Sequence, residues 1–167
     1  MLTPRLLVAA VLVVGLAACG GDSKGKGDKA TAVTAGPGVK TEGNAPVSLK
    51  APLSGADEVP GPGVKDGVGR FLIDITGTKG CYDLKVTMGE RPTMAHIHQG
   101  ARSASGPPVV DLAPKFEQGE SAFMAKSCVD LPADTAAKLI GDPAAYYVNV
   151  HSDDHPAGAL RGQLAKF

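Results

Sequence analysis

The stretch that decides the fold is Arg70-Phe71-Leu72-Ile73-Asp74-Ile75-Thr76-Gly77-Thr78-Lys79-Gly80-Cys81-Tyr82-Asp83-Leu84-Lys85-Val86-Thr87-Met88. Phe71, Ile73 and Ile75 alternate with Arg70, Asp74 and Thr76, and only Leu72 blurs the polar phase. After the turn-like Gly77 to Gly80, Tyr82, Leu84, Val86 and Met88 alternate with Cys81, Asp83, Lys85 and Thr87. Period two belongs to extended backbone, whose successive side chains point to opposite faces. The stretch predicts two successive strands, each with one apolar face.

Working outward, the same pattern predicts strands at Val47–Leu53, Thr93–His98, Pro108–Leu112, Ser121–Cys128, Ala145–His151 and Ala159–Leu164. Gly and Pro punctuate nearly every join, at the spacing expected of a sandwich or barrel. One short helix is expected over Ala133–Ile140, with Pro132 near its start, Asp134 in its first turn, and Gly141 and Pro143 as its stop. The expected fold is all-β: an antiparallel, Greek-key-like β-sandwich with one short connecting helix. Residues 46–167 suffice for one domain with one core.

The N-terminus speaks to location. A weakly positive start, Met1 to Arg5, precedes the apolar run Leu6 to Val14, which is too short for a spanning helix and fits a signal peptide over 1–18. Leu16-Ala17-Ala18-Cys19 resembles the lipobox of bacterial lipoproteins, which implies lipid on Cys19 and an extracytoplasmic, membrane-anchored protein. Two acyl chains on one cysteine suffice for stable anchoring. Residues 19–45 are rich in Gly, Lys, Asp, Thr and Ala without hydrophobic periodicity, and are expected to form a flexible tether. The 17 basic and 17 acidic residues balance, and no basic-aromatic pattern points to nucleic acid.

With Cys19 assigned to lipid, Cys81 and Cys128 remain as an even pair in an oxidising compartment. Cys81 sits on the polar phase of its strand, where a thiol is poor core filler. That favours a disulfide over two free thiols.

All four histidines fall in two clusters, His96-Ile97-His98 and His151-Ser152-Asp153-Asp154-His155. On a strand, His96 and His98 share one face about 7 Å apart. Strand phase places Ile97, Val148 and Val150 toward the core, and His96, His98, Asn149 and His151 on the opposite face. If the two strands neighbour one another, the imidazoles converge. The candidate metal ligands are therefore His96, His98, His151 and His155, with Zn or Cu as the ions that suit imidazole and carboxylate. The simpler reading, which the sequence alone favours, is a structural hydrogen-bond network that uses the same rings, and direct contact with a partner is a third. Glu58 and Arg161 are weaker candidates for ligand contact, as is Asn149. Glu58 reads more simply as an exposed turn acid, Arg161 as the partner of a nearby carboxylate, and Tyr146 and Tyr147 as one core ring and one surface ring.

Leu53-Ser54-Gly55-Ala56-Asp57-Glu58-Val59-Pro60, Ala95-His96-Ile97-His98-Gln99-Gly100, Gly106-Pro107-Pro108-Val109-Val110 and the closing Tyr147-Val148-Asn149-Val150-His151 … Arg161-Gly162-Gln163-Leu164 occur in an order that resembles the CHRD domain. The resemblance covers about residues 47–167 and implies an extracytoplasmic all-β module. It implies no reaction. The His-x-His before a glycine-rich loop is also similar, over a few residues, to copper/zinc superoxide dismutases, but the further ligands of a two-metal site are missing.

No phosphate-binding glycine loop, nucleophile elbow, HExxH or CxxC occurs. The expectation is a lipid-anchored, non-enzymatic binding or structural module. Its partner would be a protein, an envelope component or a metal ion met through the histidine region. The alternative is a mononuclear Cu/Zn redox enzyme of superoxide-dismutase-like character.

Overall fold

The computed structural model describes residues 45–167. The expected signal peptide, Cys19 and the tether up to residue 44 lie outside the described residues. The strands are β1 (Val47–Ser54), β2 (Val68–Thr76), β3 (Lys79–Thr87), β4 (Pro92–Gln99), β5 (Pro108–Asp111), β6 (Glu117–Gln118), β7 (Phe123–Asp130), β8 (Tyr146–Ser152), β9 (Leu160–Gln163) and β10 (Ala165–Lys166). One α-helix, α1 (Ala133–Gly141), links β7 to β8. The eight strands and the helix read from the sequence are all present. β6 and β10, of two residues each, were not expected.

The strands form one continuous antiparallel sheet in the order β5-β4-β8-β9-β1-β2-β3-β7-β6, with β10 on β1. β1, β2 and β3 make a meander. The chain then crosses to the far half for β4 and β5, returns for β6 and β7, and crosses again through α1 to β8 and β9. These crossings give the Greek-key character. β9 and β1 share a single register pair, Ser54 with Arg161, and there the sheet folds over on itself. The Tyr82 hydroxyl on β3 donates to the Leu112 carbonyl just past β5 at 2.9 Å, although these strands lie far apart in the sheet order. The sandwich is thus one curled sheet whose halves face each other.

The alternation explains the core. Phe71, Ile73 and Ile75 of β2 and Tyr82, Leu84 and Val86 of β3 are buried, as are Leu49, Ala51 and Leu53 of β1. Ala95 and Ile97 of β4 and Val148 and Val150 of β8 meet them from the other half. Burying a side chain of this size contributes about 1.5–3 kcal/mol. α1 adds Ala136 and Leu139. Cys81 and Cys128 are register partners on β3 and β7 and form a disulfide on the exposed face of those strands.

One strand departs from the one-sided pattern. All seven residues of β8 are buried. Its inner face lies on the core, so loops must cover its outer face. That covered face carries the histidines.

Candidate functional site: a buried polar sheet face

Register places the polar residues in rows across the strands. Arg161 of β9 pairs with Asn149 of β8, Asn149 with His96 of β4, and His96 with Asp111 of β5. In the next row Gln163 pairs with Tyr147, and Tyr147 with His98. Since register partners share a face, all of these side chains stand opposite the core.

Two loops roof this face. Arg161 is 1 % exposed, and its Nη2 donates to the carbonyls of Ala101 and Ala104 at 2.7 and 2.8 Å. Its guanidinium lies 3.5 Å from the centroid of the Tyr147 ring, which also stacks on His98. Gln163 donates to the Gly100 carbonyl at 2.8 Å. The loop between β4 and β5 is thereby tied down from beneath. The 55–67 segment joins it through Ser105 Oγ donating to the Val59 carbonyl at 2.7 Å. Gly106 fits this tie closely: a Cβ there would lie 1.7 Å from the Gln99 carbonyl oxygen.

Three imidazoles converge beneath this roof. Ring nitrogens of His96, His98 and His151, one from each, lie within 4.8 Å of one another. His98 Nδ1 is 2.9 Å from the Gly106 carbonyl, and His151 Nδ1 is 3.1 Å from the Pro156 carbonyl. A carbonyl only accepts, so both rings carry their proton on Nδ1 and present a lone pair at Nε2. His151 Nε2 faces His96 Nδ1 at 3.2 Å. Among the described residues His98 Nε2 is buried without a hydrogen-bond partner. Burial, opposed by the Gly106 hydrogen bond and reinforced by His96, holds the His98 pKa below the usual histidine value. Burial and the neighbouring His96 lower that of His151. Both rings are held neutral, the form that binds metal.

Asp111 Oδ1 stands 3.9 Å from His96 Nε2. With the His151 proton on Nδ1, its Nε2 accepts from His96 Nδ1–H. If the His96 proton moves to Nε2, toward Asp111, Nδ1 is freed as a third lone pair. His98 and His151 each have a backbone carbonyl at hydrogen-bond distance behind the ring, the arrangement that orients histidine ligands in metal centres, and Asp111 stands farther off behind His96.

His155 is not in this group. Its Nδ1 lies 2.7 Å from Glu90 Oε1, which also accepts from Ser152 Oγ. Burial would raise the Glu90 pKa, but the hydrogen bonds from Ser152 and His155 outweigh it and the carboxyl titrates lower than usual. The exposed-acid reading of Glu58 is corrected. Glu58 is 8 % exposed and accepts from Asn149 Nδ2 at 3.0 Å. Burial, opposed by Asn149 and Arg161, pushes its pKa up to about 7. A Cβ at Gly158 would sit 2.5 Å from Glu58 Oε2, so the carboxylate occupies space that only glycine leaves free.

Two smaller readings change as well. Arg161 spends its hydrogen bonds on backbone carbonyls rather than on a carboxylate. Tyr147, expected at the surface, is 3 % exposed because the loop covers it. Asp111 was not singled out from sequence, and its signal was its place at the end of the short Pro108–Leu112 run.

The five buried side-chain atoms without a hydrogen-bond partner among the described residues are Glu58 Oε1, His98 Nε2, Asn149 Oδ1, Arg161 Nη1 and Gln163 Oε1. Four of them belong to this sheet face, and Glu58 meets it from the covering 55–67 segment. Buried polar atoms are normally paired, and each orphan costs about 1–3 kcal/mol. Such a concentration marks a place built for something other than stability.

A curled antiparallel sandwich with a roofed polar sheet face defines a binding or structural β-module. The family model of the CHRD domain matches residues 49–164, and the chain belongs to that family. No curated protein matches it.

Proposed function

We propose that this chain is a lipid-anchored, extracytoplasmic CHRD module that binds a transition-metal ion through His96, His98 and His151. The observation that carries the metal reading is the convergence of three ring nitrogens, two of them with lone pairs fixed by backbone carbonyls. Three imidazoles with an open fourth position suit zinc or copper. A purely structural network does not account for the orphaned His98 Nε2. The Leu16-Ala17-Ala18-Cys19 sequence supports the anchor, and the Cys81–Cys128 disulfide agrees with an oxidising compartment.

The test is titration calorimetry of the full-length protein in detergent with Zn(II). One-to-one binding near micromolar or tighter, about −8 kcal/mol, is expected, and its loss in the His96→Ala, His98→Ala double variant. Binding no tighter than about millimolar, unchanged by that variant, removes the metal reading. For the anchor, Cys19→Ala is expected to release the protein from membranes. A variant that still sediments with them contradicts lipidation.

A further inference from the structure

Three imidazoles leave a four-coordinate ion one ligand short, and one side chain on the same face has no other evident task. Met94 is the register partner of His151 across the β4–β8 ladder. It precedes His96 by two residues on β4, and the intervening Ala95 is wholly buried in the core, so Met94 shares the histidine face. The register shifts between Pro92 and Met94, and this irregularity lies immediately before the site. Such bulges re-aim side chains and recur beside functional sites.

Met94 is 46 % exposed, one of four large apolar side chains so placed among the described residues. Packing does not explain it. A thioether on three rotatable bonds, directly cross-strand from His151, has the reach and freedom to turn onto an ion at the imidazoles.

The other candidates for that position are engaged. His155 is held by Glu90, and Glu58 by Asn149. Asp111 stands at Nε2 of His96, behind the ring.

We propose that Met94 is the fourth ligand and that the site's ion is copper, bound as Cu(I). The inference rests on the metal reading above and specifies its ion. Thioether sulfur is a soft donor that selects Cu(I), whereas zinc draws on imidazole, thiolate and carboxylate. Three neutral imidazoles and a thioether add no negative charge, which suits a monovalent ion. No cysteine is free among the described residues, because both form the disulfide.

The experiment compares wild type, Met94→Leu and His98→Ala as full-length proteins. Cu(I) affinity is measured anaerobically by competition with a chromophoric Cu(I) chelator, and Zn(II) affinity by calorimetry. Leucine conserves volume at a half-exposed position, so Met94→Leu is expected to fold normally. The expected result is a loss of Cu(I) affinity of tenfold or more in Met94→Leu, with Zn(II) affinity unchanged within twofold. A sulfur scatterer in the copper X-ray absorption spectrum of wild type is expected to vanish in the same variant. Equal Cu(I) affinity in wild type and Met94→Leu, or a spectrum with nitrogen neighbours alone, overturns the methionine ligand. In that case the His98→Ala-sensitive binding survives, and the three-histidine reading with it. Failure of wild type to bind either ion in a manner sensitive to His98→Ala overturns both.

Discussion

The amide of Asn149 donates to the carboxyl of Glu58 at 3.0 Å, joining the middle of β8 to a loop 91 residues earlier in the chain. Asn149 also has His96 as register partner on one side and Arg161 on the other, so this bond ties the roof to the histidine rows. Burial raises the Glu58 pKa from 4.5 to about 7. Between those values the folded chain binds a proton that the unfolded chain releases. The stabilisation is therefore complete below pH 4.5 and declines as pH rises through about 7. Its full span corresponds to about 3 kcal/mol.

Glu58→Gln keeps an oxygen for Asn149 and never ionises. Its stability relative to wild type is expected to rise with pH between about 4.5 and 7, measured by urea denaturation at several pH values. A difference that stays constant over that interval contradicts the buried, proton-holding carboxyl. The comparison is made against wild type because His98 and His151, with lowered pKa values, contribute the opposite slope.

In the proposed site Asp111 would act through His96 rather than by touching the ion, since its carboxylate stands 3.9 Å from Nε2. Asp111→Asn should leave the fold intact, because the Asp111 side chain is largely exposed. Removing such a partner typically weakens metal affinity 10–100-fold. Zn(II) calorimetry on the variant is expected to show a loss in that range, and an unchanged affinity removes Asp111 from the site.

The strands and the common face of His96, His98, Asn149 and His151 were legible because period-two alternation is local. The two-residue β6 and β10 were not, since they exist only through the ladders they join. The burial of Glu58 was hidden for a related reason. Asp57-Glu58-Val59-Pro60 reads as a surface turn, and the Asn149 amide that receives it is brought there by the fold. His155 looked equivalent to His151 in sequence. Three residues, Ser152 to Asp154, separate the two rings, and Glu90, on another loop, captures the second. Tyr147 has the phase of an exposed ring, and only the roof of the 100–107 loop buries it.

That roof depends on Arg161. Its two hydrogen bonds to Ala101 and Ala104 come from a charged donor, each worth about 1.5–3 kcal/mol. Arg161→Met removes both and leaves two carbonyls and the Glu58 carboxyl without their cation. A loss of about 3–5 kcal/mol is expected in urea denaturation. Faster proteolysis within 100–107 should accompany it while the core stays folded. A loss below about 1 kcal/mol shows that the loop is held by other contacts.

The disulfide acts on the other half of the sandwich. Cys81 and Cys128 are 47 residues apart, and closing such a loop in the unfolded chain removes entropy worth about 4 kcal/mol. The bridge joins β3 to β7, whose ladder already runs from Lys79–Asp130 to Val86–Phe123, so its loss should leave the native pairing in place. Cys81→Ser, Cys128→Ser is therefore expected to lower unfolding free energy by about 2–4 kcal/mol. Metal affinity at β4 and β8 should stay the same, because neither strand contacts the bridge in the sheet order. Denaturation and Zn(II) titration of the same variant check both halves of the expectation. A fall in stability accompanied by lost metal binding shows that the two halves of the curled sheet do not hold their geometry independently.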